Sequence, residues 1–384
     1  ARLATSGIAG HKLKTALRWC SPDGRLRDSL AYHAAHTGRW GGRGMQPQNL
    51  PRGVNLNVEN AVNAVMARDT RHLERLADQM GVTTQEVLAT LVRACICAPE
   101  GRELAVVDFS SIEARGLIWL AGDEEGLAPF RAGIDAYRRG AAQLLGMSPE
   151  SVTGEQRQLG KSCELGCGYQ MGGGGFQAYA KGFGVNWDTL LISPAHVVES
   201  WRDQHPHVAG WRTGERYKGH VVRRGGLWKD LEAATYHVVI KGRTAEAGRC
   251  TWAMSSGDLH CLLPSGRTLV YRDACLEPTT TPWGEKRDTV TYADGASSRV
   301  VLYGGKLAEN VTQAVCRDLL AEALVRLEDA GFPVVLHVHD EAVCEVKRPE
   351  TLQAMSRIVK EVPSWAEGLP IDVEGYCAQR YRKG

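Results

Sequence analysis

No run of 18 or more apolar residues occurs in the sequence, so no membrane-spanning helix and no membrane partner are expected. The first residues, ARLATSGIAGHKLKTALRW, lack the apolar centre of a secretory signal and do not begin with Met. They read as the continuation of something longer or as a processed end. There is no CxxC pair, and the eleven cysteines are scattered and odd in number. That pattern argues against a disulfide framework and for buried, reduced thiols in a reducing, cytoplasmic compartment. Cys163 and Cys167 share a helical face, while Cys95 and Cys97 alternate as in a strand. Internal repeats and long low-complexity tracts are absent too, which excludes a repeat fold. A chain of 384 residues with 43% hydrophobic content can bury a large core and form more than one subdomain.

The net charge of +2 says little, but its distribution is uneven. Residues 1–53 carry nine Lys/Arg against two Asp/Glu, and residues 201–250 carry ten against five, interleaved with Trp201, Trp211, Tyr217 and Trp228. Such segments suit a polyanion or a solvated basic face. Residues 56–97 read mainly as helices, with a capping signal from Thr83 to Glu86. ELAVVDFS (103–110) has the pattern of a buried strand, and IEARGLIWLAG that of a helix ending at Gly122. Thr153 and Gln156 form a capping box that predicts a helix over 154–169, broken afterwards by GGGG at 172–175. Two hairpins (256–273 and 287–305), a helix over 305–330 and a strand through 334–346 complete an α+β pattern.

Three stretches carry chemistry. Asp108 ends an apolar strand, where a carboxylate is costly unless paired or metal-bound. VVLHVHDEAVCEV (334–346) places His337, His339, Asp340 and Glu341 between apolar flanks. It could bind a metal for hydrolysis, hold metals for phosphoryl transfer, or form a solvated hairpin tip. Carboxylates from two strands meeting across a sheet could share two Mg²⁺ ions during phosphoryl transfer. On the capped helix, Arg157, Lys161, Leu165 and Tyr169 recur every four residues and form one stripe. Two cations near the positive end of a helix can grip a triphosphate.

Together these stretches resemble the family A DNA polymerases. VVDFSSIEAR is similar to the family's first palm motif, RQLGKSCELGCGY to its fingers pattern except at Leu165, and HVHDE to its second palm motif. TGRW and QPQNLP precede the first motif in the family's order, and the wording of GRWGGRGMQPQNLPRG and GGKLAENVTQAVCRDLL most resembles phage and prophage members. The resemblance covers nearly the whole chain from about Pro22. It implies a right-hand polymerase fold with an antiparallel-sheet palm, helical fingers and a thumb largely missing. Residues 1–19 would be a thumb remnant, 20–125 and 301–384 the palm, and 126–300 the fingers.

The resemblance also implies roles. Asp108 and Asp340 would hold two Mg²⁺ ions, with Mn²⁺ as an alternative, together with the Phe109 carbonyl and with Glu341 as a further ligand candidate. Arg157 and Lys161 would bind the triphosphate, Lys161 would protonate pyrophosphate, and Tyr137 would stand where relatives carry a phosphate-touching His. Leu165 and Tyr169 would face the incoming dNTP, and Glu113 would block a ribose 2′-hydroxyl. His339 would contact the primer-terminal phosphate. Arg39, Gln48, Asn49 and Asn310 would line the duplex minor groove, with Gln313 one residue closer to Asn310 than in polymerase I. The expected partners are primer-template DNA, dNTPs and accessory replication proteins, in a host cytoplasm if phage-encoded. A single-subunit RNA polymerase is disfavoured by Glu113, and an inactive nucleic-acid-binding module by the intact charged positions. A metallohydrolase is disfavoured by Ala342, where a second His would be wanted.

Overall fold

The computed structural model describes residues 8–51, 53–54, 56–217, 219–280, 284–295, 298–348 and 351–382. The chain divides into two compact units, the first comprising Ala1–Ser110, Leu319–Glu361 and Asp372–Gly384, the second Ser111–Asp318 and Val362–Ile371. Residues 1–7 of the expected thumb remnant and 383–384 of the expected palm lie outside the described residues.

The first unit is built on a four-stranded antiparallel sheet. In spatial order its strands are Val334–Val338, Glu341–Val346, Glu103–Phe109 and Val373–Ala378. Leu104, Ala105, Val106 and Val107 are all buried, so the strand Glu103–Phe109 is covered on both faces, as its unbroken apolar run requires. One face packs with Leu336, Val338, Val343 and Tyr381. The helix Thr351–Val359 covers the sheet as well, burying Met355 and Val359. Three helices, Val58–Met66, Thr70–Met80 and Thr84–Ala94, form a satellite core around Ala61, Leu73, Val87 and Leu91. Thr83 and Glu86 form the capping box that opens the third. The helix Ile8–Trp19 packs Leu13 and Ala16 against Met45, Leu50 and Val92.

The second unit is richer in helices. The ones that matter for the site are Ile112–Leu120, Ala136–Leu145, Gly154–Gly166 and Gly173–Lys181. A four-stranded antiparallel meander over Ala245–Tyr271 and a three-stranded sheet over Cys275–Val301 accompany them and contain both expected hairpins. The helix Gly304–Asp329 starts in this unit's share of the chain and ends in the first's.

Three local expectations are corrected. Gly173–Gly175 open the helix Gly173–Lys181 instead of only breaking the one before, and Gly173 lies so close to Ala195 that a Cβ there would come within 2.9 Å of its Cα. Cys95 caps the C-terminus of Thr84–Ala94, its Sγ donating to the Leu91 carbonyl at 3.4 Å, so it does not alternate with Cys97 in a strand. The run 334–346 is two strands and not one, so the hairpin weighed from the sequence is the form it takes. His339 and Asp340 make the turn between Val338 and Glu341, which pair with each other. All eleven cysteines are free thiols; six are buried, while Cys20, Cys95 and Cys97 are exposed.

Candidate active site

In the first unit, the strand Glu103–Phe109 carries Asp108 as its penultimate residue, in register with Glu341 on one neighbour and Glu374 on the other. Directly opposed residues on antiparallel strands project to the same face, and like charges so placed repel. The Phe109 amide donates to the Asp340 carbonyl at 3.1 Å, which ties the hairpin turn to the strand end beside Asp108. His339 adopts φ 55°, a left-handed conformation that His tolerates better than most residues and that a two-residue hairpin turn favours at its first position. Its Nε2 lies 3.3 Å from the Gln48 carbonyl. Gln48 and Asn49 end the short 3₁₀ turn Pro47–Asn49, and Asn49 donates to Gln46 Oε1 at 3.1 Å. Arg39 is half-buried in the same unit.

Glu341 is only 1% exposed, and its Oε1 accepts from the Tyr381 hydroxyl. Arg93 donates to that hydroxyl at 3.2 Å, and also to the carbonyls of Pro51 (2.7 Å) and Leu50 (2.8 Å). The buried Glu341 carboxyl is therefore hydrogen-bonded within the protein through Tyr381. The same contacts anchor the chain just after Gln48 and Asn49. Sequence reasoning missed Arg93 and Tyr381, and no motif marks either.

Among the described residues, no group of three or more His, Cys, Asp or Glu side chains gathers into a closed cation site. What the sheet end offers is the carboxylates of Asp108 and Asp340 and the Phe109 carbonyl, all hard oxygen donors. Mg²⁺ is commonly held by one or two carboxylates, with water and substrate phosphate completing its shell, and the donor set fits that chemistry. Repulsion among abreast carboxylates adds to the fit.

In the second unit, Thr153 and Gln156 exchange capping bonds of 3.2 and 2.9 Å and start the helix Gly154–Gly166. Arg157, Lys161 and Leu165 are half-buried along it, between buried Leu159, Cys163 and Glu164; Tyr169 follows in the 3₁₀ turn Cys167–Tyr169. The Tyr169 hydroxyl donates to Glu113 Oε2 at 2.7 Å. The Tyr137 ring lies 5.0 Å from the Arg157 guanidinium carbon and 5.8 Å from Lys161 Nζ, cation–π distances in both cases. Arg157 Nε donates to Asp135 Oδ2 at 2.7 Å. Burial works to raise the Asp135 carboxyl, but Arg157 and the backbone amides of Arg138 and Tyr137 outweigh it and hold the group below the usual carboxylate range. Asp135 was not singled out from sequence; its signal was the N-cap pattern in GIDAYRR.

Asn310 is 5% exposed and donates to the Tyr271 hydroxyl at 3.3 Å, whereas half-buried Gln313 donates to Glu309 Oε1 at 3.3 Å. The two candidates on this helix thus occupy different environments.

The chain as a whole is similar to known DNA polymerases. The family model of DNA polymerase family A matches residues 11–188. A DNA polymerase of Bacillus phage SP02 is 36% identical over 372 residues, covering 94% of this chain and 53% of the phage protein. The thermostable DNA polymerase I of Thermus thermophilus is 25% identical over 293 residues, 75% of this chain and 28% of its own length. Among solved structures, the POL domain of Pol1 from M. smegmatis, in complex with DNA primer-template and dNTP, matches with a TM-score of 0.58 at 18% identity. That match covers 99% of this chain and 52% of the other, and is a likeness of fold. Residues 11–188 match DNA polymerase family A, and the similarity to the phage polymerase extends over 94% of this chain. The chain spans about half the length of the phage SP02 polymerase.

Proposed function

We propose that this chain is the palm and fingers of a template-directed DNA polymerase, adding dNTPs to a primer 3′-hydroxyl during replication of a phage or prophage genome. The similarity to DNA polymerase family A and to the phage SP02 polymerase supports the reading. The observation that carries it is the backbone bond from Phe109 to Asp340, which brings two carboxylate-bearing segments to one sheet end. The residues expected from sequence divide into palm (20–125 and 301–384) and fingers (126–300), with 1–19 as a thumb remnant.

Asp108, Asp340 and the Phe109 carbonyl would hold two divalent ions, Mg²⁺ or alternatively Mn²⁺, which supply activation of the attacking hydroxyl and neutralisation of phosphate charge. Glu341, already bonded to Tyr381, braces the sheet end more than it ligates. Arg157 and Lys161 neutralise the triphosphate, and Lys161 passes a proton to the leaving pyrophosphate. Tyr137 spaces these two cations with its ring. Glu113, fixed by Tyr169, occupies the volume a ribose 2′-hydroxyl would need, and Leu165 lines the sugar's 3′ side. His339 contacts the primer-terminal phosphate. Arg39, Gln48, Asn49 and Gln313 read minor-groove acceptors, which correctly paired bases present at similar positions; Asn310 supports them from the interior. Most of the rate would come from positioning and charge neutralisation.

Among the described residues no helix is long and apolar enough to cross a membrane. We place the activity in a host cytoplasm, with accessory replication proteins as further partners. Primer extension with dNTPs or rNTPs, with and without template, tests the proposal. Template-dependent extension with dNTPs alone is expected. Equal use of rNTPs would indicate an RNA polymerase, phosphate release without template a hydrolase, and DNA binding without extension an inactive module.

A further inference from the structure

Asp135 divides its two carboxylate oxygens between two tasks. Oδ1 accepts the amides of Tyr137 at 3.0 Å and Arg138 at 3.1 Å, capping the helix Ala136–Leu145. Oδ2 accepts Arg157 Nε at 2.7 Å. Capping needs only one oxygen, and Asn or Ser would serve as well there. The second oxygen does something a cap does not require.

What it does follows from the shape of a guanidinium. The group is planar, so fixing the direction of Nε–H and laying the plane near one ring fixes where the two terminal nitrogens point. Both constraints are present: Asp135 takes Nε, and the Tyr137 ring lies 5.0 Å from the guanidinium carbon. Among the described residues, the hydrogen bonding of Arg157 runs through Nε alone, so Asp135 does not compete for the terminal nitrogens. Tyr137 is itself held by its amide bond to Asp135, and Lys161 Nζ lies 5.8 Å from the same ring. One carboxylate therefore registers both cations of the stripe. The close approach of the two helices makes the arrangement stiff, because a Cβ at Gly160 would overlap the Tyr137 carbonyl. As a plain ion pair the contact would contribute little, since each side chain is 33% exposed.

We infer that Asp135 is a positioning residue for triphosphate binding, acting through Arg157: it presents the two terminal guanidinium nitrogens to the phosphates of the incoming dNTP. The inference rests on the proposed polymerase function and adds a residue to it. Asp135 contacts the arginine, not the nucleotide, so its effect belongs in nucleotide binding and vanishes without Arg157.

Asp135→Asn separates the two tasks, since the amide keeps one oxygen for the cap and cannot accept from Nε. Asp135→Ser is a second variant that retains a cap. The experiment measures dATP affinity by fluorescence titration of the complex with primer-template, and steady-state KM and kcat for extension. The proteins are the parent chain, both Asp135 variants, Arg157→Ala and the double variant Asp135→Asn/Arg157→Ala. Losing one charge-assisted constraint should weaken dATP binding and raise KM about tenfold, with kcat within about threefold. In the Arg157→Ala background the Asp135→Asn change should have no further effect. Unchanged or tighter dATP binding in both Asp135 variants would overturn the inference, as would the same loss with Arg157 already removed. A parent that binds dATP but extends no primer would refute the polymerase reading, and the dATP titrations would still decide the role of Asp135.

Discussion

Leu165 is half-buried on the helix face that also carries Arg157 and Lys161, and it has no polar atom. Family members carry Phe or Tyr at the matching position, and a Tyr hydroxyl there can stand in for the 3′-hydroxyl that a dideoxynucleotide lacks. In the proposed site, a terminator beside Leu165 would leave a phosphate oxygen unsatisfied, at about 1.5–3 kcal/mol or roughly ten- to a hundredfold in specificity. The ratio of specificity constants for dNTP and ddNTP should therefore be large in the parent and approach unity in Leu165→Tyr; equal ratios in both would assign Leu165 to packing. The preceding residue makes a different prediction. Burial raises the Glu164 carboxyl above its ordinary value, with His205 and Arg139 pulling the other way. Because the folded value lies above the unfolded one (roughly 4.3), Glu164 favours the fold below that pH, and the contribution is lost as pH rises through the folded value. Glu164→Gln should melt at a higher temperature than the parent at pH 8, with the gap closing towards pH 4; a gap independent of pH would contradict this. At this scale the motif residues were legible because their spacing is local. The partners of Glu341, Asn310 and Arg157 were not, since Tyr381, Tyr271 and Asp135 lie 40, 39 and 22 residues away.

Among the elements, the strand Glu103–Phe109, both capping boxes and the helix Gly304–Asp329 follow from patterns that local physics enforces: an apolar run, a Thr with Glu or Gln three residues on, and a long apolar periodicity. Elements set by contacts elsewhere were harder to read. The glycines at 173–175 cost a helix conformational entropy, yet the close approach to Ala195 needs a residue without Cβ. The turn at His339–Asp340 carries no Gly or Asn, so its sequence reads as continuous strand; pairing of Val338 with Glu341 folds it back. Gly160 shows the same logic in the helix pair Ala136–Leu145 and Gly154–Gly166, where a methyl group would meet the Tyr137 carbonyl. Gly160→Ala should destabilise the protein by about 1–3 kcal/mol through overpacking, despite the better helix propensity of Ala. A thermal melt decides it: a lower midpoint is expected, and an unchanged or higher one would mean that the helices separate at no cost.

For the molecule as a whole, the two units carry different chemistry. The first holds Asp108, Asp340 and the proposed DNA contacts Arg39, Gln48, Asn49 and His339; the second holds the cations, the Glu113–Tyr169 pair, Asn310 and Gln313. Charge distribution alone did not reveal this division, because the basic segments at 1–53 and 201–250 fall outside the catalytic motifs. In the second segment Arg223 is paired with Glu199 and Asp203. The proposed catalysis depends on Asp340, tied to the strand of Asp108, as a ligand for the ions of phosphoryl transfer. Its most direct test is single-turnover extension of a primer-template by the parent and by Asp340→Asn, with DNA affinity measured on the same preparations. A loss of extension of about 10³-fold or more is expected, with DNA affinity nearly unchanged. Extension by Asp340→Asn at a rate near the parent's would contradict it.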